Sequence, residues 1–537
     1  MDNTPVEFRP SNTMQTTSLL GYQSRGHCLI IGPLDKALDA AAKIDTPAQT
    51  VLVPTPGNIA INKQATEDGV NVIEADALLL KGYLGAFDCA VGDPDSPGSL
   101  AKVAGVSLLG GFDLVLDLTN PAMLQTEVLP FGYQAPGADE ELVSDALTQL
   151  AELQGDFEKP KYFEYDASIC AHSRSGITAC TRCIDVCGTG AIKPDGEGVK
   201  IEPYLCQGCG SCASNCPSGA VRYAYPAPAD ALSQLTELLK DRTDHPVVYL
   251  HDVDTGAEQL ESFKSSLHDR VLPLAVEEVA SVGMDVWLAS IAYGVSAIAI
   301  DAPASDSGAH RTLTMQSETA NMLLQGLGQG QRVVLIDDAS AEKINQLASL
   351  ELPVIPVASF QSFNDKRQTI RTSLDHIAQH SEQVDEVVTL GSDSAFGQVM
   401  VDDNACTLCL ACVTVCPGRA LQDGDTLPQL KFIESQCLQC GLCESACPEN
   451  AISLEPRYLV DSELARRQRV LNEEEPFNCI VCNTPFATQR IIGRMQAKLS
   501  DHWMFESNDA LRRLKMCEDC RVKDIFNEDK SGIDVHK

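Results

Sequence analysis

With 537 residues and 75 Asp+Glu against 40 Lys+Arg, the chain carries a formal charge of −35, a field that repels nucleic-acid phosphates and anionic membrane surfaces. Hydrophobic residues at 44% and charged residues at 21% are ordinary for folded domains and exclude wholesale disorder. The length predicts about three to five domains, and the count that asks for an explanation is 22 cysteines.

The opening MDNTPVEFRPSN has no basic stretch followed by an apolar run, so no secretory leader is expected. The longest apolar stretch, Trp287 to Ile300, covers about 14 residues, too short to cross a bilayer. A cytoplasmic, reducing location is therefore expected, where clustered cysteines bind metal or do redox chemistry rather than form disulfides. Residues 1–169 hold only Cys28 and Cys89, residues 217–405 hold none, and the rest fall in 170–216, 406–447 and 479–520. Ligand density alone predicts five domains: 1–158, 159–225, 226–398, 399–456 and 457–537.

Residues 1–158 read as an N-terminal α/β domain. HCLIIG, TVLV, VNVIE, FDCAVG and FDLVLDL are strand-like, and Lys36–Ile44 and Glu140–Glu152 helical. Gly32-Pro33 follows the first strand without G-x-G-x-x-G, so no dinucleotide fingerprint is present. Cys28 and Cys89 lie within strand-like runs and read as small buried hydrophobes.

In residues 159–225, Cys206-x2-Cys209-x2-Cys212-x3-Cys216-Pro217 is one half of the bacterial two-cluster ferredoxin run. Three thiolates in one tight loop wrap a cubane, and the fourth cysteine ligates the neighbouring cluster. The other half is irregular: Cys180-x2-Cys183-x3-Cys187 lacks the first ligand, whose expected position is Ile177. Cys170, seven residues upstream, is the nearby thiol that can replace it. Cys170, Cys180, Cys183 and Cys216 are therefore assigned to one [4Fe–4S] cluster, and Cys206, Cys209, Cys212 and Cys187 to its partner. The long AHSRSGITA loop and Gly188 in place of proline leave a [3Fe–4S] centre open at the first site. His172 is read as a loop histidine with local hydrogen bonds, with a ligand or proton-carrier role as the alternative.

Residues 226–398 alternate strands (Val247–Leu250, Val271–Leu274, Val295–Ile300, Arg332–Ile336, Val354–Val357) with helical stretches at 229–240, 277–293, 309–325, 339–349 and 365–379. Such alternation implies a parallel sheet in a central α/β domain. Asp252, Asp301, Asp337 and Asp338 follow strands, where open α/β sheets bind ligands. A flavin or nucleotide there is conceivable, although solvated strand ends explain the same residues.

Residues 399–456 give the regular motif twice: Cys406-x2-Cys409-x2-Cys412-x3-Cys416-Pro417 and Cys437-x2-Cys440-x2-Cys443-x3-Cys447-Pro448. The crossover rule assigns Cys406, Cys409, Cys412 and Cys447 to one cluster, and Cys437, Cys440, Cys443 and Cys416 to the other. In 457–537 the arithmetic changes: Cys479-x2-Cys482 and Cys517-x2-Cys520 are separated by 34 residues. Two distant knuckles suit a tetrahedral structural Zn²⁺ best, with a rubredoxin-like iron or a further cluster as alternatives. A helix is expected around Gln489–Leu499. Residues 476–537 carry 10 Lys+Arg and 9 Asp+Glu, a near-neutral island on an otherwise acidic chain.

The stretches FEYDASICAHSRSGITACTRCIDVC (163–187), YLCQGCGSCASNCPSGA (204–220), EEVASVGMDVWLASIAYG (277–294) and KMCEDCRVKDIF (515–526) resemble proteobacterial tandem 4Fe–4S ferredoxin-type proteins associated with formate dehydrogenase gene neighbourhoods. The central helix also resembles the small subunit associated with viologen-reducing hydrogenases, but 217–405 holds no cysteine onto which a cluster could be carried. The resemblance implies electron transfer, with redox proteins as partners, a formate dehydrogenase among them. The expected architecture is thus a multidomain α/β plus α+β chain: two bacterial two-cluster ferredoxin-like domains, N-terminal and central parallel-sheet domains, and a C-terminal four-cysteine zinc-knuckle tail. The alternatives are a flavin- or nucleotide-dependent oxidoreductase subunit using the central domain, and an accessory protein for maturation of a formate dehydrogenase.

Overall fold

The computed structural model describes residues 6–7, 18–67, 69–106, 110–137, 139–240, 242–337, 340–360, 365–424, 427–500, 502, 505 and 508–531. The opening segment, apart from Val6 and Glu7, and Asp338 lie outside them.

The β-branched runs near the N-terminus form a six-stranded sheet in the order Tyr133–Gln134, Leu114–Asp117, His27–Ile31, Ala48–Pro54, Asn71–Ala75, Asn62–Ala65, parallel except for the last strand. Helices Leu34–Lys43 and Glu140–Glu152 bury Ala37, Ala40, Ala41, Ala146, Leu147 and Leu150 against one face, with Cys28 among them. The FDCAVG run does not join this sheet. It is the middle strand, Asp88–Val91, of a separate antiparallel meander that covers the other face. Cys28 and Cys89 are fully buried, and burial pushes both thiols up to about 12, as expected of inert hydrophobes.

The central sheet is parallel, in the order Val6–Glu7, Val271–Val276, Val247–Asp252, Ala297–Asp301, Val333–Ile336. Its edge strand, Val6–Glu7, comes from the 1–158 segment and pairs with Val271–Val276. The Trp287 helix (Met284–Ala292) is buried all round, and helix Lys366–Gln379 packs beside it. A helix not read from the sequence, Thr255–Phe263, follows strand Val247–Asp252.

The expected strand at Val354–Val357 is absent. Pro353 and Pro356 remove amide donors there, and the segment is instead held by side chains and helix ends. Arg332 donates to Pro353 O at 2.6 Å, His376 Nε2 lies 2.6 Å from Pro356 O, and Ala358 N donates to Ala292 O at 2.8 Å.

Two small α+β units carry the cysteine motifs. In the first, Phe163–Tyr165 pairs with Val221–Tyr223 and Ile192–Asp195 with Gly198–Ile201. In the second, Gly397–Val401 pairs with Ile452–Leu459 and Leu421–Asp423 with Gln429–Phe432. Strands on both sides of 399–456 add to the second unit. Strand Val387–Thr389 pairs with Ile452–Leu459, and Arg469–Glu473 adds to Gln429–Phe432. Among the described residues, no helix is long and apolar enough to cross a membrane.

Candidate metal centres

The three regular motifs share one backbone device. The second and fourth residues after the first cysteine have positive φ: Gly208 and Gly210 (85° and 76°), Leu408 and Leu410 (55° and 60°), Gln439 and Gly441 (51° and 84°). This alternation curls the loop so that three thiols face one point. Leucine in that conformation costs roughly 1–2 kcal/mol per residue, a strain retained at Leu408 and Leu410 where the loop has a ligand to hold.

Each loop runs directly into a short helix carrying the third cysteine: Ser211–Asn215, Ala411–Thr414 and Leu442–Ser445. Cys406, Cys409, Cys412 and Cys447 line one cavity, and Cys416, Cys437, Cys440 and Cys443 line another. Amides point at the sulfurs: Ala451 N donates to Cys447 Sγ at 3.3 Å, Gln439 Nε2 to Cys437 Sγ at 3.3 Å, and Val221 N to Cys216 Sγ at 3.5 Å.

The irregular site is built differently. The AHSRSGITA insertion folds as a hairpin, Ser173–Arg174 against Ile177–Thr178, turning through Ser175 and Gly176 at φ 52° and 78°. Both turn residues have positive φ, as the right-handed twist of a two-residue hairpin demands. Ala179 N donates to His172 O at 2.8 Å and Cys180 N to Ala171 O at 3.4 Å. The insertion thus leaves and returns at one place, bringing Cys170 beside Cys180, and Cys170, Cys180, Cys183 and Cys216 line one cavity with His172. His172 is buried, and its Nδ1 lies 2.8 Å from Cys180 O, the local bond expected of it.

The remaining four thiols, Cys187, Cys206, Cys209 and Cys212, converge where the N-terminal domain packs. Lys159 Nζ donates to Cys206 O at 2.6 Å and Tyr204 O at 3.0 Å, while Tyr83 stacks on Tyr204 with centroids 4.6 Å apart. Burial pulls the Lys159 ammonium down to about 8. Burial, then the negative charge of Cys209, Cys206 and Cys187, holds the Cys212 thiol well above its ordinary value. Likewise burial first, then thiolate neighbours, raises Cys183 and Cys443 and takes Cys412 to about 12. Buried thiols clustered in this way do not ionise together without a cation among them, so the donor sets fit iron–sulfur clusters.

On the far side of this site, an added Cβ at Gly210 would lie 2.3 Å from Ser281 Cα of the central domain. Gly210→Ala therefore meets backbone as well as an unfavourable φ, and is expected to cost about 2–4 kcal/mol. Thermal unfolding of the loaded protein reads this as a clearly lowered Tm; an unchanged Tm would show that the domains are not pressed together at this point.

The tail is tighter than any of these. The ligand atoms of Cys479, Cys482, Cys517 and Cys520 all lie within 4.8 Å of one another, with Cys482 and Cys517 Sγ 3.6 Å apart. Metal–sulfur bonds of about 2.3 Å at the tetrahedral angle place thiolates roughly 3.8 Å apart, so this set fits a single ion. No other group of three or more Cys, His, Asp or Glu among the described residues closes to that distance. Burial raises the Cys479 thiol, but the amides of Cys482, Cys517 and Val481 outweigh it and leave it at about 6. Helix Gln489–Leu499, where it was expected, fastens the tail to the second unit: Thr488 Oγ1 donates to Thr407 O at 3.2 Å and Arg490 Nη1 to Cys406 O at 3.2 Å.

The strand ends of the central sheet are acidic. Burial and neighbouring carboxylates raise Glu278 to about 7 and Asp301 to about 6, an environment adverse to a phosphate.

Residues 178–220 match the family model described as "4Fe-4S dicluster domain", and residues 399–422 and 430–453 match "4Fe-4S binding domain". The first match begins eight residues after Cys170 and does not include it. A "Ferredoxin-like protein in nif region" of Rhizobium leguminosarum bv. trifolii is 46% identical over 41 residues, 7% of this chain and 64% of that protein. A protein of the same description from Sinorhizobium fredii (strain NBRC 101917 / NGR234) is 56% identical over 32 residues, 6% of this chain and 50% of that protein. The matches thus span less than two thirds of either relative. The chain carries ferredoxin-like 4Fe–4S domains within a mixed α/β architecture.

Proposed function

We propose that the protein relays electrons between redox partner proteins through four [4Fe–4S] clusters. Their ligands are Cys170, Cys180, Cys183 and Cys216; Cys187, Cys206, Cys209 and Cys212; Cys406, Cys409, Cys412 and Cys447; and Cys416, Cys437, Cys440 and Cys443. The observation that carries this reading is the grouping of sixteen cysteines into four thiol sets, all but Cys409 buried or half-buried and three of them lining defined cavities. When bound, such clusters supply one-electron storage. The chain supplies the thiolates, the amides that donate to sulfur, and the apolar walls that exclude water and so set the potential. A formate dehydrogenase as partner rests on the resemblance of the 163–187, 204–220, 277–294 and 515–526 stretches. Cys479, Cys482, Cys517 and Cys520 hold one Zn²⁺ in a structural role. The acidic strand ends disfavour the flavin or nucleotide reading.

Anaerobically purified or reconstituted protein is expected to hold about 16 iron atoms, four per cluster, and about one zinc per chain. Metal analysis with visible spectroscopy checks this. About 8 iron atoms after full reconstitution would mean that one pair of sites is degenerate, and a flavin band would revive the discarded reading.

A further inference from the structure

Helix Lys366–Gln379 opens with two cations, although the positive end of a helix dipole favours anions there. Both reach out of the central domain into the cysteine units. Lys366 Nζ donates to Ala213 O at 2.9 Å and to Ser214 O, on the helix between Cys212 and Cys216. Arg367 spans the two units. Nη1 donates to Pro217 O at 3.3 Å and Ala395 O at 2.9 Å, and Nη2 to Ser435 O at 3.4 Å and Cys437 O at 2.7 Å. Its guanidinium also stacks on Phe396, 4.7 Å from the ring centroid. Arg182, between Cys180 and Cys183, reaches Ser394 O at 3.3 Å across the same junction. The hairpin strand Ile177–Thr178 touches helix Leu442–Ser445, so the Cys170/Cys180/Cys183/Cys216 and Cys416/Cys437/Cys440/Cys443 sets face each other here.

Lys366 has a counter-charge in the buried carboxyl of Asp285, whereas the hydrogen bonds of Arg367 go to four carbonyls. A cation withdrawn from water at a helix N-terminus needs negative charge close by. The Asp365 carboxylate at the helix N-cap supplies part of it, and thiolate-ligated clusters on either side, beside Pro217 and Cys437, supply the rest.

We propose that Arg367, seconded by Lys366, is a positioning residue for electron transfer between the two units: it clamps the Cys216–Pro217 turn to the Ser435–Cys437 turn, and its charge stabilises the reduced state of the two inner clusters. This rests on the four-cluster reading above. One electron crossing the junction oxidises one inner cluster and reduces the other by one unit, with no proton or ligand transferred. The electron enters from a reduced redox protein or, in the experiment, from dithionite.

The test is a potentiometric titration of the full cluster-loaded chain with dithionite, followed by electron paramagnetic resonance. In Arg367→Gln, at parental iron content, two of the four transitions move to more negative potential and two stay. Arg367→Lys, which keeps the charge, returns them toward the parent. If Arg367→Gln does not retain iron, Lys366→Gln decides, because its contacts are with the first unit only: one transition moves, that of the cluster beside Cys216. Four unmoved transitions in an iron-replete Arg367→Gln, or in Lys366→Gln where the former does not retain iron, overturn the proposal. A parent chain without clusters at the inner sites overturns the four-cluster reading instead.

Discussion

Cys517→Ser is expected to unfold the C-terminal tail while leaving the iron content of anaerobic protein at the parental value. Structural zinc supplies on the order of 10 kcal/mol of folding free energy, more than a segment this small can replace by packing. Cys517 opens helix Glu518–Ser531, and Ile480 N donates to Lys515 O at 3.2 Å, so the knuckle is what joins this helix to the Cys479 turn. Among the described residues from 476 onward, those buried are a handful, Cys479, Thr488, Ile492, Leu514 and Met516, too few for a core of their own. Zinc analysis and limited proteolysis read the effect, as loss of one zinc and cleavage within residues 479–520. Loss of iron–sulfur absorbance from this single change would instead make the tail a cluster site.

Cys170→Ala is expected to convert or destroy one cluster and spare three. Cys180, Cys183 and Cys216 still line the cavity and can grip three irons, so a [3Fe–4S] centre is the natural product. The set at Cys187, Cys206, Cys209 and Cys212 keeps all its thiols. The rival ligand, His172, has Nδ1 engaged with Cys180 O. Iron analysis and paramagnetic resonance of oxidised and reduced protein separate the two cases. A spectrum and iron count identical to the parent would remove Cys170 from the ligand set.

The three thiols of each regular loop lie within six residues, so spacing in sequence becomes spacing in space there, while the fourth is assigned only by the crossover rule. The tail knuckles were legible for the same reason, and helix Gln489–Leu499 by its periodicity. The positive-φ positions were half legible. Gly208, Gly210 and Gly441 announce them, but Leu408, Leu410 and Gln439 hide the same geometry behind residues that normally avoid it. The Ser175-Gly176 turn flanked by Arg174 and Ile177 is a hairpin signal set within a longer loop. The apolar β-branched residues of Val354–Val357 spell a strand that the prolines at 353 and 356 prevent. The Lys366–Arg367 pair left no trace, since its partners lie about 30 to 150 residues away and no local pattern encodes so distant a contact.

The pairing of Val6 and Glu7 with Leu274 and Ala275 bears on how the chain is made. Synthesis runs from the N-terminus, and domains generally fold as they emerge. The six-stranded sheet and the first cysteine unit are complete before residue 271 exists, yet strand Val271–Val276 takes its neighbour on one side from a segment made some 260 residues earlier. Val6 and Glu7 are thus held in reserve until their partner strand has been made.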